Sequence, residues 1–140
     1  MQLRTLRWAI AVFALIGLGT SAFLTWYDLV TPKGICSLTD FFGCSEILSS
    51  QYSRVGGVPT ALLGALWFIV VLWLSIVVSR DEARMIYLLA WSLLVIPGVT
   101  VLIYIELIVI GVICPFCTSA HLLGLAILIL TVIMWRNRHP

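Results

Sequence analysis

Charge is what this chain has least of. Eight Lys and Arg plus six Asp and Glu leave only 10% of the 140 residues charged, against 62% hydrophobic. That balance excludes a soluble globule. Internal repeats, low-complexity tracts and polar linkers are also missing. The net charge of +2 is scattered in basic pairs rather than gathered in a patch, so nucleic acid is not an expected partner.

What remains is mostly apolar runs. A bilayer span needs about 20 apolar residues, and four segments qualify: 8–30, 58–79, 85–110 and 114–135. The expected fold is therefore an all-α membrane protein, a four-transmembrane-helix bundle that takes up residues 1–140 as a single integral membrane domain. Function must lie in the bundle, in the 27-residue connection 31–57, or in both. Arg4, Arg7, Arg80, Arg84, Arg136 and Arg138 flank one side of such a bundle, with only Lys33 and Arg54 on the other. The positive-inside bias then makes both termini cytoplasmic. Arg4 and Arg7 before an apolar stretch and Thr20-Ser21-Ala22 imitate a secretory signal. The run continues past a signal core of about 7–15 residues and ends in the interfacial pair Trp26-Tyr27, so a retained first helix is expected.

Several local features refine this reading. Gly17, Gly19 and Ser21 are small enough to let helices approach closely. Thr31-Pro32-Lys33-Gly34 is a turn signal, and Asp40 is placed to cap a short interfacial helix in the outer loop between helices 1 and 2. Pro59 suits a first helical position, and Pro97-Gly98 predicts a kink in helix 3. Residues 80–84 read as a tight polar turn.

The four cysteines are the strongly nucleophilic groups, and this topology places Cys36, Cys44, Cys114 and Cys117 on the outer face. Disulfides form and persist outside the cytoplasm, so two cysteine pairs on one face suggest electron relay by thiol–disulfide exchange. In Cys114-Pro115-Phe116-Cys117 the pair opens helix 4, where the helix dipole and unpaired N–H groups favour thiolate. Cys114 is expected at the cap, exposed to the outside, with Cys117 one turn in and pointing between helices. Cys36 and Cys44 fit a loop shuttle, with Cys36 meeting an outside partner and Cys44 swinging to Cys114. A structural disulfide that pins the loop is the alternative. A four-thiolate zinc site fits poorly, because the Cys36/Cys44 spacing is wide and zinc ribbons are normally polar; no metal is expected.

His121 lies four residues beyond Cys117 on the same helix face. It can be a packed polar residue or a hydrogen-bond donor to a reducible carbonyl. Glu106 is the other intramembrane ionisable group, placed either within the bundle or at the outer surface. Tyr52 and Trp67 can flank an aromatic ligand or serve as belt and packing residues.

The ordered set Cys36…Cys44, Ser49-Ser50-Gln51-Tyr52, Gly57-Val58-Pro59…Gly64 and Cys114-Pro115-Phe116-Cys117 resembles the vitamin K epoxide reductase family. The resemblance runs from helix 1 through helix 4. It implies a four-helix bundle around a quinone (menaquinone, ubiquinone or vitamin K type) with the CxxC at its mouth. In prokaryotic members the enzyme re-oxidises a thioredoxin-like, DsbA-type protein. By that resemblance Cys36 exchanges with the partner, Cys44 attacks Cys114, and Cys117 reduces the quinone. Ser50 matches the loop serine or threonine near the active disulfide. Thr60 and His121 stand where vertebrate members have an asparagine and a tyrosine for the quinone carbonyls, a departure that bears on epoxide reduction rather than quinone reduction. No thioredoxin domain is fused within these residues, so a separate partner is expected, at a prokaryotic plasma membrane.

Other readings remain. DsbB-type oxidases also carry two outer cysteine pairs on four helices, but their CxxC lies in the first outer loop. An epoxide reductase of the endoplasmic reticulum and a non-catalytic, cysteine-stapled or metal-binding membrane protein are the remaining alternatives.

Overall fold

A computed structural model describes residues 2–30, 50–78 and 81–140. The chain enters as α1 (Leu3–Val30), then passes through a 3-10 turn (Gln51–Ser53) and a hairpin of β1 (Arg54–Val55) and β2 (Val58–Pro59). It continues through α2 (Thr60–Val77), α3 (Glu82–Leu93), α4 (Val95–Tyr104), a π-helical segment (Ile105–Ile110) and α5 (Pro115–Arg138). Leu3–Val30, Thr60–Val77, Glu82–Ile110 and Pro115–Arg138 are long and apolar enough to cross a membrane. The result is the expected four-helix membrane bundle.

α1 buries Leu6, Ile10, Ala14, Gly17, Ser21 and Leu24, a stripe stepping by three or four residues, as one helix face requires. Trp8, Val12, Leu15 and Ile16 point outward, where lipid is their solvent. α1 packs on α2 and α5, and α3 closes against α5 and α2. Small residues set the closeness of these contacts. A Cβ at Gly17 would overlap the Phe68 ring, and one at Gly64 would sit 3.3 Å from the Ser21 hydroxyl. Gly19, singled out with them, faces open space.

The apolar core occupies the end of the bundle that holds both termini. There Leu6, Ile10 and Ala14 meet Phe68, Val71 and Leu74 of α2, Met85 and Leu88 of α3, and Ile127 and Met134 of α5. Basic residues at this end close helix termini: Arg7 donates to the Ser75 and Ile76 carbonyls at 3.3 and 3.0 Å, and Arg84 to that of Val77 at 3.0 Å. These are the orphan carbonyls a helix C-terminus leaves. Asp81 caps α3 by accepting from Ala83 N–H at 3.0 Å.

Three local expectations need correction. Pro59 is the residue before α2, not its first turn, because Val58–Pro59 pairs with Arg54–Val55 across Gly56 and Gly57. Both glycines have positive φ (61° and 86°), the backbone a two-residue hairpin turn demands. The break in the third span falls at Leu94, ahead of Pro97-Gly98. Its cause is still Pro97, which removes the N–H that would reach the Leu93 carbonyl and crowds that carbonyl with its ring. The first, third and fourth helices outrun the apolar windows, since flanking polar residues stay helical and supply the caps.

Candidate active site

At the opposite end of the bundle the CxxC forms the start of α5. Pro115 occupies the first turn and Cys114 is the N-cap, its sulfur accepting the Cys117 N–H at 3.4 Å. Thr118 reinforces the turn by donating both its N–H and its hydroxyl to the Cys114 carbonyl, each at 2.9 Å. Cys114 is not exposed as expected: it is fully buried, packed with Leu24, Tyr27, Ala61 and Ile110. The reason is tertiary packing: Leu24 and Tyr27 of α1 and Ala61 of α2 lie against it. Phe116 points the other way and meets Phe23 with ring centroids 5.6 Å apart.

Cys114 is disulfide-bonded, whereas Cys117 carries a free thiol. The bridge therefore does not close within the CxxC. Cys36, Cys44 and the Asp40-capped loop helix lie outside the described residues.

Cys117 faces a cavity of about 560 Å³ between the helices, within the range of small-molecule sites. Cys117, Ala120, His121 and Gly124 present one face of α5 to it. Gly124 gives room that a Cβ would fill, by colliding with Val95. The walls are chiefly apolar, and all the candidate residues within the described segments other than Cys114 border it: Ser50, Tyr52, Thr60, Trp67, Cys117 and His121.

The polar groups on that wall differ in what they have left to offer. Thr60 donates its hydroxyl to the Ser53 carbonyl at 2.9 Å, so it holds the 3-10 turn and keeps only acceptor lone pairs. Trp67 and Trp91 exchange hydrogen bonds, each indole N–H reaching the other's carbonyl at 3.2 and 3.3 Å. The Trp67 ring thus stands fixed, edge-on to Phe68. His121 is different: its Nδ1 is buried and has no hydrogen-bond partner among the described residues. A buried polar atom without a partner costs free energy, and the His121 ring that carries it is part of the cavity wall. A ligand carbonyl or hydroxyl there would satisfy it.

Glu106, which could have sat at the outer surface, is 6% exposed and borders the cavity. Ser21 and Ser53 also contribute to the wall and escaped sequence reasoning. Ser21 was read only as a small packing residue. Ser53 is placed by the Gly56-Gly57 hairpin, which brings its carbonyl to the Thr60 hydroxyl.

Four membrane spans, a cysteine pair opening the last of them and an apolar cavity against the inner cysteine define an integral membrane protein built for thiol chemistry beside lipid. The chain belongs to the vitamin K epoxide reductase family, whose family model matches residues 8–132. That interval contains Cys36, Cys44 and the CxxC. The family is one of membrane redox enzymes, and this chain is an oxidoreductase.

Proposed function

We propose that the protein is a membrane thiol:quinone oxidoreductase that takes electrons from a separate thioredoxin-like protein and passes them to a membrane quinone, supporting disulfide formation outside the cytoplasm. The partner dithiol reduces the Cys36/Cys44 pair. Cys44 then attacks Cys114, releasing Cys117, and completion of the exchange leaves Cys114 and Cys117 as a dithiol. That dithiol closes to a disulfide as two electrons and two protons pass to the quinone, giving the quinol.

The observation that carries this reading is the division of labour in the CxxC. Cys117 is free and borders an apolar cavity, while Cys114 is bridged to a cysteine other than Cys117. This is the arrangement that a mixed disulfide at Cys114 leaves behind. The cavity's chemistry also fits a quinone: apolar walls for the ring, the Trp67 face beside it, and His121 Nδ1 for one carbonyl. Tyr52 and Ser50 stand at the loop side of the same cavity. Thr60 contributes wall and hairpin support rather than a donor.

The test is anaerobic quinone reduction by the full chain, with a reduced thioredoxin-like protein or a small dithiol as donor. Quinol should form with both donors in the wild type, and only with the small dithiol in Cys36→Ala. Failure of the wild type to reduce any quinone with either donor overturns the reading.

A further inference from the structure

Glu106 has no part in the electron path above, yet its setting is unusual. It is the one carboxyl among the described residues bordering the cavity, and it is 6% exposed within a membrane span. None of the described hydrogen bonds or ion pairs engages its carboxyl. An ionisable group at such a depth is costly and marks function by default.

The backbone adds a second observation. Glu106 lies in the π-helical segment Ile105–Ile110, whose wide turn closes when Gly111 and Val112 both donate N–H to the Glu106 carbonyl. Gly111 stops the helix there with φ 75°. Such turns recur at functional sites. Leu107, Ile108 and Val109 face outward, so Glu106 alone of this run of four turns inward. Cys117 and His121 of α5 border the same cavity as Glu106. Among the described residues, the other carboxylate toward this end, Asp28 of α1, is engaged by Arg54 at 2.9 Å.

We infer that Glu106 is the proton carrier of the quinone step, taking the proton that Cys117 releases and delivering it to the nearer quinone oxygen. The inference rests on the quinone reading above. Two S–H bonds break, at Cys114 and Cys117, and one S–S bond forms between them. Two electrons pass to the quinone, and two O–H bonds form. Glu106 moves the Cys117 proton and returns to its starting state. The Cys114 proton leaves as its sulfur joins the disulfide, and the second oxygen takes one proton in its place, so that protons balance. The walls around Cys117 are chiefly apolar and offer few groups to take its proton, and a positioned acid–base group contributes about 10²–10⁴-fold to such transfers.

The test is quinone reduction by Glu106→Gln with a small dithiol as donor, so that the partner protein is bypassed. The rate should fall about 100-fold, and Glu106→Asp should recover much of it. Maleimide labelling of Cys117 should match the wild type. A Glu106→Gln rate within twofold of wild type overturns the inference while leaving the quinone reading intact. Absence of wild-type quinone reduction defeats the quinone reading itself. If Glu106→Gln does not fold, infrared difference spectra of the wild type and Glu106→Asp decide. A carboxyl C=O band that changes on quinone reduction and shifts in Glu106→Asp supports the carrier, and a spectrum without one overturns it.

Discussion

The backbone N–H of Cys117 donates to the sulfur of Cys114 across 3.4 Å. The two cysteines so joined have different surroundings. Cys114, as N-cap, is drawn under α1 and fully buried, and Cys117 is left on the α5 face that borders the cavity. Two sulfurs three residues apart thereby meet different environments, which a relay between a protein thiol and a lipid-dissolved acceptor requires.

His121, on the cavity wall, has a buried Nδ1 without a hydrogen-bond partner among the described residues. One neutral hydrogen bond to a quinone carbonyl is worth about 0.5–1.5 kcal/mol, or roughly 2- to 12-fold in rate or affinity. His121→Phe should slow quinone reduction or raise the quinone requirement by that factor. Thiol exchange at Cys114, followed with a small dithiol, should be unaffected. Unchanged quinone kinetics would return His121 to a packing role.

The close approach of α1 and α2 gives a second prediction. Because a Cβ at Gly17 would overlap the Phe68 ring, Gly17→Ala should destabilise the bundle by about 1–3 kcal/mol, the usual cost of overpacking. Phe68 also borders the cavity, so the displaced ring should raise the KM for quinone. Thermal unfolding in detergent measures the first effect, and Gly17→Ala with Phe68→Leu should recover part of it. A Gly17→Ala protein as stable as wild type would contradict the packing.

Much of this was legible in the sequence, for identifiable reasons. Span number needs only length and apolarity, and the Cys117–His121 face needs only the helical repeat. Glu106 even falls on the stripe of Val95 and Val99, both buried. Its burial was not legible, because an apolar window ending at residue 110 does not say whether the side chain at 106 meets the cavity or the outer surface. The burial of Cys114 and the engagement of the Thr60 hydroxyl by Ser53 are tertiary facts. Each depends on where a segment distant in sequence, α1, or separated by a hairpin, Gln51–Ser53, comes to rest.

Orientation gives a third prediction, drawn from the six arginines at one side. A membrane-impermeant maleimide added outside reduced cells or vesicles should label the cysteines without permeabilisation. Cys114, fully buried, should react slowest, and Cys117 should be partly protected. Labelling that appears only after permeabilisation would reverse the topology.

The most direct test of the central claim is the quinone turnover of Cys117→Ala, measured anaerobically with both a protein donor and a small dithiol. Cys117 is the free thiol on the cavity wall, so turnover should fall to background with either donor while Cys114 still exchanges with thiols. Substantial quinone reduction by Cys117→Ala would contradict the account, because the electrons would then reach the quinone without the sulfur that faces it.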